Sequence, residues 1–167
     1  MRKWFVGIIG PESCGKSTLA AYLAKRYNGI LVPEYAREYM EAKISNLKSP
    51  ISNFQYSYSD VESIARHQIE QLKSLTGAAV QQAKPVFFDT ELIITKVWFE
   101  HKYGKCPDWL IEALHQYPMD VYLLCYPDLP WVPDPVRENP DIRLELFNRY
   151  EREIQDLNIP YYIIRHC

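Results

Sequence analysis

GPESCGKST (residues 10–18) follows the apolar run KWFVGIIG (3–10) and precedes LAAYLAKRY (19–27). Its spacing, Gly10-x-x-x-x-Gly15-Lys16-Ser17, is the phosphate-binding P-loop pattern, in which each residue type has a separate task. Gly10 and Gly15 let backbone N–H groups turn inward around phosphate oxygens, and the helix that follows aims its positive dipole end at the same anion. Lys16 is expected to reach the β- and γ-phosphates and Ser17 to hold Mg²⁺. Pro11, Glu12, Ser13, Cys14 and Thr18 complete the loop expected around ATP. The flanks fit the pattern: FVGII (5–9) is a β-branched apolar run, and Leu19, Leu23 and Tyr27 recur at a helical spacing of four.

Working outward, 167 residues suit a single domain over 1–167. A formal net charge of -2 provides no basic field for nucleic acid. The apolar part of the N-terminus is too short for a signal peptide, and no apolar run is long enough to cross a bilayer. Cys14, Cys106, Cys125 and Cys167 have neither C-x-x-C spacing nor companion histidines at zinc-ligand distances, so they read as free thiols of a reducing, cytoplasmic compartment. Cys14, beside the loop N–H groups, is expected only to fill a small-residue position.

Five apolar segments punctuate the chain: FVGII (5–9), ILV (30–32), VFF (86–88), VYLLCY (121–126) and YYII (161–164). Helical material separates them, which predicts an α/β fold with a five-stranded parallel sheet, helices on both faces and strands buried on both sides. The class is a P-loop NTPase of the nucleoside or nucleotide kinase type. Ser59-x-x-Glu62 predicts a capping box opening a helix with Val61, Ile64, Ala65, Ile69 and Leu72 on one stripe, and His67 off it, solvated or loosely paired. SNLKSPISNFQYSYS (45–59) reads as a binding loop or lid. PDLPWVPDPVRENP (127–140) holds five of the twelve prolines, so it is a stiffened excursion after the fourth strand, where a lid belongs.

Ligands of open α/β sheets collect at the carboxyl ends of the strands. Past the second strand, PEYAREY places Glu34, Arg37 and Glu38 within one helical turn. Past the third come Asp89, Thr90 and Glu91. Asp89 stands where an acid near Mg²⁺ is expected, with a helix N-cap as the alternative. Glu34 suits a carboxylate that accepts the proton of an attacking hydroxyl, with an ion pair to Arg37 as the alternative. Which of the two is the general base stays open. The GTPase signatures Asn-Lys-x-Asp and D-x-x-G are missing, so adenine is the expected base.

The set GPESCGKST, PEYAREY, RHQ, FFDTELIITKVWFEHKYG and YPMDVYLLCYPDLPWVPDPVRE resembles the ribosylnicotinamide kinase domain of bacterial NadR-type proteins, in order, over residues 5–164. The resemblance implies transfer of the ATP γ-phosphoryl to the 5′-hydroxyl of nicotinamide riboside, giving nicotinamide mononucleotide in NAD synthesis and salvage. It places the EYARE, DTE and WVPDPVR residues on the nucleoside and lid side. The family is often fused to regulatory and adenylyltransferase domains, absent from this sequence, so activity is expected to stop at the mononucleotide. The family also usually continues into a final helix after the last strand, which leaves adenine contacts open.

Nicotinamide riboside carries a pyridinium cation, which calls for aromatic faces near carboxylates. Trp98, Trp131, Tyr35 and Tyr39 are the candidate faces, and Glu34, Glu38, Glu91 and Asp134 the candidate charges. Trp131, in the proline-rich lid, is the less easily explained by packing. Arg137 is expected to swing in with the lid and neutralise the transferring phosphoryl, the alternative being a surface pair with Asp134 or Glu138. A kinase for another nucleoside or small nucleotide and a non-catalytic ATP-binding module are the competing readings.

Overall fold

The computed structural model describes residues 3–46, 56–76 and 84–166. Most of the expected loop at 45–59, and Cys167, lie outside the described residues. Strands β1 (Phe5–Ile9), β2 (Ile30–Val32), β3 (Val86–Asp89), β4 (Val121–Cys125) and β5 (Tyr161–Ile164) form one parallel sheet in the order β2-β3-β1-β4-β5. Helices α1 (Lys16–Arg26), α2 (Tyr35–Ser45), α3 (Tyr58–Thr76), α4 (Leu92–Tyr103), α5 (Asp108–Gln116) and α6 (Arg143–Asp156) fill the crossovers. This is the expected five-stranded parallel α/β sheet, with β1 central between β3 and β4.

The period-2 alternation of the strands sorts their side chains into two cores. Val86, Phe88, Tyr122 and Leu124 join the larger one, with residues of α3, α4, α5 and α6. Val6, Ile8, Phe87 and Cys125 face the smaller one, closed by Ala20 and Ala24 of α1. The stripe of α1 on the sheet is thus Ala20 and Ala24, with Leu19 and Leu23 half-buried beside it. Tyr27 is exposed, although its ring stacks on Phe87. Small alanines suit a helix lying close to strands that already carry bulky side chains. Burial on both sides holds for β1 and β3 but not at the edges: Leu31 of β2 and Tyr162 and Ile163 of β5 are exposed.

All five residues of the expected α3 stripe are buried. Its capping box lies two residues earlier than expected. Asp60 N–H donates to Ser57 Oγ at 3.3 Å and Ser57 N–H donates to Asp60 Oδ2 at 2.7 Å, which is the reciprocal pattern of a capping box. Asp60 also accepts from Tyr39 Oη at 2.8 Å and from Lys43 Nζ, tying α3 to α2. Glu62 instead pairs with Arg66 one turn on.

Glu91 is the N-cap of α4, its Oε1 accepting from Ile93 N–H at 2.9 Å, and Gly104 ends that helix at φ 72°. Asp89 is therefore a strand residue and not the cap. Burial raises the Glu91 pKa from 4.5 to about 7 against its hydrogen bonds to Ile93 N–H and Tyr122. A folded pKa above the unfolded one stabilises the fold fully below about pH 4.5, and that contribution is lost as pH rises through about 7. Its full size is roughly 3 kcal/mol. Glu91→Gln keeps a capping oxygen and removes the titration, so its melting temperature should fall less than the parent's between pH 5 and 8. Parallel pH profiles of the two proteins would refute this role.

Candidate active site

The P-loop follows β1, Glu34 stands two residues past β2, and Asp89 ends β3, so the fold brings all three to one end of the sheet. The loop and Glu34 border a cavity of about 520 Å³, lined among others by Glu12, Ser13, Cys14, Lys16, Ser17 and Thr18, while Asp89 is buried off that lining, which its neighbour Thr90 joins. Gly15 is the N-cap of α1 in the left-handed region, at φ 86°, and neither a side-chain cap nor an acid in the first turn occupies the helix N–H groups. Those donors are left to serve an anion.

Lys16 Nζ donates to Pro11 O at 2.7 Å and lies 3.9 Å from Cys14 Sγ. Burial works against its charge, but Cys14, Glu34 and Asp89 around it outweigh that and hold the ammonium protonated. Burial raises the pKa of both strand-end carboxylates. For Glu34 it prevails over the Lys16 charge, with Asp89 adding to the rise. For Asp89 it prevails over a hydrogen bond from Ser17 and the charge of Lys16. Asp89 Oδ1 and Thr90 Oγ1 are buried without a hydrogen-bond partner among the described residues, and Thr90 holds a strained φ of 70°. Unpaired buried oxygens beside a hydroxyl at the phosphate loop suit a hard cation that brings most of its ligands with it. No group of three or more His, Cys, Asp or Glu side chains that could hold a metal occurs among the described residues.

The lid segment is held down by partners from far along the chain. Asp134 Oδ2 accepts from Arg37 at 2.9 Å, and Arg37 also pairs with Glu34 at 3.7 Å and Glu41 at 3.4 Å. The Glu12 carboxylate accepts from the N–H groups of Glu138 at 3.1 Å and Asn139 at 2.9 Å. Ser13 Oγ accepts from Val132 N–H at 3.2 Å, and Arg143 donates to Leu129 O at 2.9 Å. Arg137 lines the cavity and donates to Val132 O at 2.6 Å. Neither surface pair expected for it is the contact observed, because Asp134 goes to Arg37 and Glu138 to Lys102 and Tyr56.

Of the remaining sequence candidates, Arg37, Thr90, Trp98 and Asp134 line the cavity as well, with Gly10 and Gly15 at its loop end. Five others lie off that wall. Tyr35 stacks on His67 at 3.6 Å, which gives that exposed histidine a ring partner. Tyr39 is bound to Asp60, Glu38 is exposed on α2, and Glu91 is spent on the α4 cap. Trp131 is half-buried outside the lining, which reverses the expected order of the tryptophans. Trp98 Nε1 donates to Tyr56 Oη at 2.9 Å, the two rings meeting edge to face at 4.7 Å. Tyr56, His101 and Asn139 of the lining escaped the sequence reading. Tyr56 gave no signal because it ends an aperiodic loop; His101 lies one turn past Trp98 on α4, a spacing that could have found it.

An AAA domain family profile matches residues 5–167. The trifunctional NAD biosynthesis/regulator protein NadR of Escherichia coli (strain K12) is 29% identical over 133 residues, which is 79% of this chain and 30% of that protein. The chain therefore spans under a third of the length of that curated relative. A crystal structure of NadR protein in complex with NR superposes with a TM-score of 0.72 at 21% identity, covering 96% of this chain and 43% of that one. Thymidylate kinase from Ehrlichia chaffeensis superposes with a TM-score of 0.68 at 14% identity, covering 100% and 89%. The likeness of fold thus extends from NadR to a thymidylate kinase. No helix among the described residues is long and apolar enough to cross a membrane.

Proposed function

The chain belongs to the AAA domain family, and from that premise we propose that it is an ATP-dependent kinase that phosphorylates the 5′-hydroxyl of nicotinamide riboside. The observation that carries the proposal is the cavity formed by the P-loop and Glu34 at the strand ends, with Asp89 buried within the electrostatic reach of Lys16. NadR, the relative matched over most of this chain, supports the choice of acceptor.

In this reading the loop N–H groups and the N-terminus of α1 hold the ATP phosphates, and Lys16 shifts from Pro11 O to the phosphate oxygens. Mg²⁺ at Ser17 and Asp89 would neutralise charge on the β- and γ-phosphates. Glu34 takes the proton of the 5′-hydroxyl, and Arg37 orients it while tying it to the lid through Asp134. Arg137 releases Val132 O and meets the transferring phosphoryl. Trp98 offers an aromatic face, and Glu34 and Asp134 negative charge, to a cationic ring.

The test is turnover of nicotinamide riboside with ATP beside uridine and cytidine. A stacked, desolvated cation is worth about 2 kcal/mol, a preference of tens-fold over a neutral ring. Trp98→Ala should erode that preference more than it weakens ATP binding. Equal kcat/KM on uridine and nicotinamide riboside in the unmodified protein would point to a general nucleoside kinase, and tight ATP binding without turnover on any nucleoside to a binding module. Arg137→Lys keeps the charge and loses the planar fork, so turnover should drop while ATP affinity holds. Unchanged turnover would assign Arg137 to the lid's structure alone.

A further inference from the structure

Behind the phosphate loop, two thiols from distant parts of the chain share one pocket of the core. Cys14 and Cys125 are 1% and 0% exposed and belong to the smaller core with Val6, Ile8 and Ala20. The parallel register sets Ile9 beside Leu124, so Gly10 runs past Cys125 as β1 gives way to the loop. A Cβ on Gly10 would stand 2.8 Å from Cys14 Sγ, 2.7 Å from Cys125 O and 3.1 Å from Cys125 Cβ. The missing side chain is what lets the two cysteines approach, and Cys125 is the group that acts most strongly on the Cys14 thiol.

Their surroundings differ from those of an inert buried thiol. The Cys125 hydrogen bond, with Lys16 and Arg143 nearby, outweighs burial and lowers the Cys14 pKa to about 6. Cys106 of the same chain is pushed by burial up to about 11. Cys14 forms part of the cavity wall, whereas Cys125 lies behind it.

We infer that Cys14 and Cys125 are a redox modification site that closes to a reversible disulfide when a small hydroperoxide enters the cavity. The Cys14 thiolate attacks one peroxide oxygen, the O–O bond breaks, and the departing hydroxide takes a proton to leave as water. Cys125 sulfur then attacks the Cys14 sulfenic sulfur; the S–O bond breaks and the hydroxyl leaves as a second water with the Cys125 proton. The two sulfurs lose two electrons and the peroxide gains them. A dithiol reverses the step by thiol–disulfide exchange. The new bond draws Cys14 Sγ away from Pro11 O, 2.9 Å from it in the thiol form, and anchors the loop to β4. A loop so anchored cannot fold its N–H groups around phosphates, so oxidation should abolish ATP binding.

The test is a titration of the reduced full chain with hydrogen peroxide, followed by alkylation and non-reducing peptide mapping. The expected product is a single linked pair containing Cys14 and Cys125, with Cys106 still alkylated, dithiothreitol restoring both thiols and saturating ATP slowing the linkage. Glutathione disulfide, too bulky for the cavity wall, should react far more slowly than peroxide. In Cys125→Ser, the Cys14 sulfenic acid should accumulate and be trapped by dimedone. Oxidation of Cys14 to the sulfinic acid without linkage to Cys125, linkage no faster than oxidation of Cys106, or no oxidation at all would each overturn the proposal. The linkage is read by mass, so its outcome is independent of which acceptor, or any, is phosphorylated.

Discussion

Lys16→Ala should lower kcat/KM for phosphoryl transfer by at least about a thousandfold, near the upper range measured when one preorganised charge-stabilising donor is removed. Three features of the site set this expectation. The ammonium is kept charged by Cys14, Glu34 and Asp89 despite its burial, so it is a full positive charge in a poorly solvated place. It rests on Pro11 O, a neutral acceptor, from which a phosphate oxygen draws it at little cost. The N–H groups of the loop backbone carry only partial charge and do not replace a full one. Lys16→Met, which keeps most of the side-chain volume, should lose as much, separating charge from packing. A steady-state assay with the melting temperature as a control decides it: near-normal turnover in a folded variant would remove the P-loop from the chemistry.

The second large effect separates the two strand-end carboxylates. Asp89→Asn should raise the Mg²⁺ concentration needed for half-maximal rate, because Ser17 acts on the Asp89 carboxylate and Asp89 Oδ1 has no hydrogen-bond partner among the described residues. Glu34→Gln should lower the rate at saturating Mg²⁺ by about a hundredfold or more, the size of a lost general base, without moving that midpoint. Their pH profiles carry a second signature. Burial raises both pKa values above the ordinary carboxylate range, and each group acts as the anion, so kcat/KM should rise with pH through the raised values and fall off on the acid side. Glu34→Gln should remove its part of that acid limb. Identical metal dependence in the two variants would defeat the division of labour.

The framework of the molecule was legible because its signals are local. Apolar runs bounded by polar helical stretches mark strands wherever they stand, and the five runs lie within one residue of the strands observed. The α3 stripe was legible for the same reason, since periodicity is a property of consecutive residues. Its start was not. YSYSDVES offers two overlapping capping boxes, Ser57 with Asp60 and Ser59 with Glu62. Local propensity does not separate them; Tyr39 and Lys43 of α2, which bind Asp60, favour the first.

The site divides along the same line. Gly10, Gly15, Lys16, Ser17, Glu34 and Asp89 are readable from the sequence because each lies in the loop or at the end of a strand whose position is itself readable, and a parallel sheet brings those ends together. The lid's attachments are not readable. Arg37 meets Asp134 across 97 residues, and Glu12 meets the Asn139 N–H across 127. Nothing in the local pattern distinguishes Arg37 from a surface arginine, or Trp98 from a core residue on α4 and Trp131 from a stacking face in the lid. The sequence alone determined where the phosphate loop and its carboxylates stand, through residue spacing and strand pattern. Tertiary structure alone decided which aromatic faces the cavity, what holds the lid, and that Cys14 meets Cys125, because those contacts depend on the packing of residues with no sequence proximity.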